Sequence, residues 1–246
     1  MSDLDHFLKH SVEGYLFEDI ETLKRAERLP EKTKGGVGYP LLLTAFAGIE
    51  LLGALVSKET FHKRGGETYF TSFWREYLYP DEPRSSVGTA IYKLARHGLA
   101  HVFVVKGDLV VVKNEPKEHL VRVVETGGLV INAVQLADDL IDAYQSKVKP
   151  LLDVDQGEIN RETMSKRLDD MEKAYRSDAE FFSSHLENLP PAESPHPIPG
   201  ASGPLSSYVT TNEAHAVSGT EWSPPGKGTE KGTVSPFYER KPEDRL

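Results

Sequence analysis

The sequence has 246 residues, 38% of them apolar, a formal charge of −9 and no cysteine. Without thiols there is no disulfide framework, no thiolate metal site and no cysteine nucleophile. The acidic balance opposes broad, non-specific binding to phosphate backbones, though it leaves room for a local basic pocket.

The first ten residues, MSDLDHFLKH, are acidic and amphipathic. They lack the basic, apolar, small-residue order of a secretory signal, so a cytoplasmic chain is expected. Ser2 and Asp5 have capping-box spacing, with Asp in place of Glu. Leu4, Phe7, Leu8, Val12, Tyr15, Leu16, Ile20 and Leu23 then recur at helical intervals. PEKTKGGVGYP breaks this helix, and Pro40 suits the first turn of the next. Leu41 to Val56 is apolar nearly all round, the mark of a buried central helix. The run is too short for a membrane span and carries Glu50. Phe70, Phe73, Trp74, Tyr77 and Leu78 form the aromatic face of a third helix, a core face or a dimer interface. A fourth helix starts near Ser85 or Ser86, with Val87, Ile91, Leu94 and Ala95 turned inward.

The period then changes. HVFVVKGDLVVVKN reads as two β-branched runs joined at Gly107-Asp108, a hairpin, and HLVRVVE offers a third strand. After Gly127 and Gly128 comes a helix with Leu136, Leu140, Tyr144, Val148 and Leu151 on one side. A last helix carries Met164, Leu168, Met171 and Tyr175. Asp138 and Asp139 read as solvated charges. Beyond Leu189 the composition shifts: 28 of the 57 residues from Pro190 to Leu246 are Pro, Gly, Ser or Thr. Such a segment buries too little apolar surface to offset its ordering entropy and is expected to be a disordered tail. The expected fold is therefore mainly α. It is a helical bundle over 1–189 with a small inserted antiparallel β-hairpin or three-stranded sheet near 101–125, followed by the tail at 190–246.

The chemistry-bearing stretch is IYKLARHGLAH, residues 91–101, which gathers Arg96, His97 and His101. An Arg, a polar residue, three further residues and a His resemble the signature of the HEPN superfamily, helical nucleotide- and RNA-binding domains of prokaryotes. The upstream apolar helix with its acid, Glu50, agrees with that resemblance, which extends over roughly residues 1–180. It implies a metal-independent endoribonuclease of a toxin or phage-defence system. His101 would act as general acid or base, Arg96 as phosphate clamp and His97 as an orienting or hydrogen-bonding group. It also implies a homodimer with a shared site, RNA as partner, an antitoxin or regulatory protein partner, and no cofactor. Lys93 and Lys106 are the expected substrate-binding cations.

Three other readings use the same letters. Many members of the superfamily are thought to be non-catalytic binding or scaffold domains. Arg96 could instead serve as the structural counter-ion of Glu50. Or Gly98 stops the helix at His97, Leu99 starts a strand, and the region is a winged-helix DNA-binding module using Arg84, Lys93, Arg96 and Lys106. Against the last, residues 1–189 carry a formal −7 and show no basic stripe. DVDQGEINRETM begins like a calcium loop but has Glu158 and Met164 where Gly and Glu are required.

Overall fold

The computed structural model describes residues 2–27, 37–102, 109–113, 119–124 and 126–186; for His97, His101, Val102 and 177–186 it describes the backbone alone. Six helices and a small sheet make up these residues. Helix α1 spans 3–25, α2 is Gly38–Leu55, α3 spans 66–78, α4 spans 85–102, α5 spans 133–153 and α6 is Arg161–Leu186. Strands β1 (Leu109–Val112), β2 (Val121–Arg122) and β3 (Leu129–Asn132) lie between α4 and α5. The expected boundary at 189, the tail and Lys106 fall outside the described residues.

The capping box forms as its spacing predicts. Ser2 Oγ accepts from the Asp5 N–H, and Asp5 Oδ2 accepts from the Ser2 N–H and hydroxyl at 3.2 and 2.8 Å. The core face of α1 differs from its 3.6-residue reading in one respect. Phe17 is buried where Tyr15 was expected, because Leu8–Phe17 winds with π turns. A five-residue repeat places Val12 and Phe17 on one face.

Helix α2 is the hub, packed against α1, α3 and α5. By length and composition it could cross a membrane, contrary to the expectation that this run was too short. However, 56% of its window is buried within the protein, so it serves as the core helix. It meets α3 at Gly53, where a Cβ would lie 2.2 Å from the Tyr69 carbonyl oxygen and 2.7 Å from its carbon. The two backbones touch there, with no room for a side chain.

The aromatic face of α3 is core. Phe70, Phe73 and Trp74 are fully buried. Phe70 stacks on Trp74 at 5.8 Å and meets Phe46 edge-on at 5.4 Å. The Trp74 Nε1–H donates to the Arg84 carbonyl at 2.9 Å, so its one polar atom is satisfied. These three rings are thus spent inside the fold. In α4, Ile91 and Ala95 face the core as predicted, but Leu94 is turned out and Tyr92 turned in. A π-wound segment at Tyr92–Arg96 shifts the register.

The sheet has three strands, as expected, in the order β1-β3-β2, but its pairing is mixed. β1 runs parallel to β3, with Leu109 opposite Leu129 and Val112 opposite Asn132. β2 runs antiparallel to β3. The strand expected from His101 onward begins as helix, since α4 continues through Gly98 to Val102. A mid-helix glycine costs only about 1 kcal/mol, which packing of Leu99 in the core offsets. β3 itself was hidden in the sequence: LVIN abuts α5 without a break, and Asn132 ends the strand and caps the helix. Its Oδ1 accepts from the Val134 and Gln135 N–H groups at 3.0 and 3.1 Å.

Candidate functional site

Chemistry-bearing side chains gather in two places. The first is a cleft of about 450 Å³, within the size range of small-molecule and nucleotide sites. Glu50, from the buried helix α2, and Arg96, from α4, stand side by side in its wall. The Arg96 Nε–H donates to Glu50 Oε2 at 3.1 Å, and Nη2 completes the ion pair at 3.1 Å from the same oxygen. Both side chains are part-buried, so the pair is neither a screened surface contact nor sealed in the core. Gly66, in the first turn of α3, makes room for the carboxylate: a Cβ there would lie 2.4 Å from Glu50 Oε1 and 2.9 Å from the Tyr92 hydroxyl.

The rest of the cleft is mostly apolar. Phe7 and Ser11 come from α1, Leu51 and Ala54 from α2, and Met171 and Tyr175 from α6. The turn before α3 supplies Phe61, His62 and Lys63. This turn is anchored: the His62 backbone N–H donates to the Tyr69 hydroxyl at 2.6 Å, and Phe61 stacks on Tyr69 at 5.7 Å and 12°. Lys63 Nζ lies over the Tyr175 ring, 6.0 Å from its centroid.

Of the expected site residues, Arg96 reaches this cleft, held by the acid weighed against it in the sequence. The unbroken helix carries the backbones of His97 and His101 on α4, one turn apart. Lys93 lies elsewhere, pairing with Glu67 at 3.1 Å on the exposed side of α3. The winged-helix alternative loses its premise, since α4 does not stop at Gly98 and no strand starts at Leu99. Sequence reasoning passed over FHKRGG, residues 61–66, although an aromatic, three basic-type residues and two glycines in six positions are a visible binding-loop signal.

The second gathering is buried where the sheet meets the bundle. The Asn132 N–H donates to His119 Nδ1 at 3.2 Å, which leaves the proton on Nε2. Nε2 lies 2.8 Å from the Tyr79 hydroxyl, which donates to Asp139 Oδ2 at 2.5 Å. Gln135 Nε2 donates to the other Asp139 oxygen at 2.8 Å. Asp139 is thus a bonded network member and not a solvated charge; its neighbour Asp138 pairs with Lys24 at 2.5 Å. Every polar atom of the His119 ring is used, and the ring is buried, so the cluster is a structural lock joining β3, α5 and the end of α3.

Burial, first, and the nearby Arg84 guanidinium hold the His119 pKa down at about 4, against the opposing pull of Asp139. Burial and the adjacent carboxylate push the Tyr79 hydroxyl far above its ordinary range, so it stays a donor. In the unfolded chain His119 takes up a proton near its ordinary 6.5, whereas in the fold it does so only near 4. Stability is therefore full above pH 6.5 and falls as pH drops toward 4, by about 3 kcal/mol at most. Urea unfolding of wild type and His119→Gln across that window should show a shallower pH slope in the variant. Equal slopes would mean that the imidazole is not held neutral by the fold.

Among the described residues, no group of three His, Asp or Glu side chains converges closely enough to hold a metal ion. The chain matches no known protein family, no curated protein and no solved structure.

Proposed function

We propose that this protein is a HEPN-like, metal-independent endoribonuclease whose reaction is centred on α4. One observation carries the reading: Arg96 stands in the wall of an aromatic-lined cleft, on a helix that runs unbroken to His101. In this chemistry the ribose 2′-hydroxyl attacks the adjacent phosphorus. Its proton goes to a base, and the 5′-oxygen leaves with a proton from an acid, giving a 2′,3′-cyclic phosphate and a 5′-hydroxyl. His101 is the proton carrier, the side-chain type that can move a proton at neutral pH. Arg96 neutralises charge on the phosphorane with the donors that Glu50 leaves open, and Glu50 fixes the plane of the guanidinium. His97, beside Arg96 in sequence, is the orienting or hydrogen-bonding group. The test is cleavage of an RNA pool by the purified chain in EDTA, with product ends identified as cyclic phosphate and hydroxyl.

A second reading, a non-catalytic RNA-binding or scaffold domain, draws on the same ion pair. With its guanidinium already paired to a carboxylate, Arg96 has less charge to offer a phosphorane. RNA binding without cleavage would select it.

The ribonuclease reading includes a homodimer that brings two α4 helices into one site. Light scattering at about tens of micromolar should give twice the monomer mass. A strict monomer would leave each site with one Arg and one His pair and remove the shared-site mechanism.

A further inference from the structure

The outer half of the cleft has no part in the mechanism above, yet it is built from residues that bind nucleotides well. We propose that Tyr175, Phe61 and Lys63 form a stacking subsite for one nucleotide unit, with its base on the rings and its phosphate at the lysine. The proposal deepens the nucleic-acid reading of the cleft and rests on it.

Tyr175 departs from the pattern of its own helix. Along α6, Met164, Leu168 and Met171 are 0%, 1% and 7% exposed, but the next step in the stripe, Tyr175, is 46% exposed. A ring that continues an apolar stripe yet stays half in solvent remains accessible to a ligand. Phe61 lies 6.2 Å from it, tilted by 52°, so two rings of different orientation border one opening. Phe61 is backed by Tyr69 and its turn is tied down through the His62 N–H, which lowers the ordering cost of binding. Lys63 brings a positive charge to the same opening, next to the ring rather than across the molecule.

The inner end of the cleft is polar in a complementary way. Arg96 presents donors and Glu50 an acceptor, and Ser11 Oγ is buried in the lining with no hydrogen-bond partner among the described residues. A purely apolar ligand would leave these groups unsatisfied. A nucleotide supplies a flat π face, an anionic group and a hydroxyl-bearing sugar together, and stacking of this kind tolerates every base.

The unit could belong to an RNA strand or be a free nucleotide, and two probes separate them. One is a fluorescent 2′-O-methyl oligoribonucleotide, which binds but cannot be cleaved. The other is free AMP or UMP, followed by calorimetry. Variants Tyr175→Ala, Tyr175→Phe and Lys63→Ala, each at exposed positions, are checked for an unchanged melting temperature. Tyr175→Ala should weaken binding about 10-fold, Tyr175→Phe should keep it, and Lys63→Ala should weaken it and reduce the salt slope by about one. Dependence seen with the oligonucleotide assigns the subsite to a strand; dependence seen only with AMP or UMP assigns it to a free nucleotide. Tyr175-dependent binding without any RNA cleavage keeps the subsite and removes the ribonuclease reading. Cleavage and binding that ignore all three variants overturn the subsite and leave the ribonuclease reading standing.

Discussion

Gly53→Ala should lower the stability of this protein by about 3 kcal/mol, a melting-temperature loss of about 6–12 °C for a domain of this size. The added methyl would fall 2.2 Å from the Tyr69 carbonyl oxygen, and Phe73 Cβ closes the site at 3.2 Å. Both neighbours belong to α3, and the nearest atoms are backbone, which cannot rotate aside as a side-chain tip can. The only relief is to move α3 off α2. That movement would loosen the contact of Phe70, Phe73 and Trp74 with the hub helix, because all three rings project from the displaced segment. Gly38→Ala is the control: a Cβ there meets only Val111 Cγ1 at 3.8 Å, an ordinary contact. Thermal melts of the two variants should therefore separate widely. Coincident melts would show that α2 and α3 are not in backbone contact.

Arg96→Ala and His101→Ala should each reduce RNA cleavage about 100-fold or more, the usual worth of a positioned acid, base or charge. The two differ in what else they cost. Arg96 is the hydrogen-bonded counter-ion of a part-buried carboxylate, so removing it leaves Glu50 without that bond and its ion pair and lowers stability by about 1.5–3 kcal/mol. Activity assays therefore belong well below the melting transition, with EDTA present throughout. Full activity in either variant would remove that residue from the mechanism. Loss of activity in Arg96→Ala explained wholly by unfolding would reduce Arg96 to the structural counter-ion of Glu50.

Local patterns were legible in the sequence, and distant pairings were not. Ser2 and Asp5, three residues apart, announced their own box, and the stripe Met164, Leu168 and Met171 announced the buried face of α6. Leu41 to Val56 read correctly as the central helix. By contrast, β3 has no gap before α5 to set it apart, and its parallel partner β1 lies 20 residues upstream, beyond the reach of any alternation rule. The lock of Tyr79, His119 and Asp139 joins residues 40 and 60 positions apart, and nothing in the immediate neighbours of Asp139 separates it from a solvated acid. The Glu50–Arg96 pair is legible because both residues stand out as polar groups on apolar helices. The rest of the cleft came from five separate segments, and its brightest signal, FHKRGG, lay away from the stretch that drew attention.

The order of the strands also has a consequence for biosynthesis. The middle strand of the sheet, Leu129–Asn132, is the last of the three to leave the ribosome. When 109–122 has emerged, its two strands have no partner, because neither pairs with the other. They must wait for the template, and the same residue that completes it, Asn132, starts α5 and ties down His119. A nascent chain arrested before 129 holds four helices and no sheet; one released past α5 gains sheet, cap and lock together. Sheet assembly is thereby timed to the arrival of the second half of the bundle, and in the interval two Val-rich edges stand open to whatever binds unpaired strands.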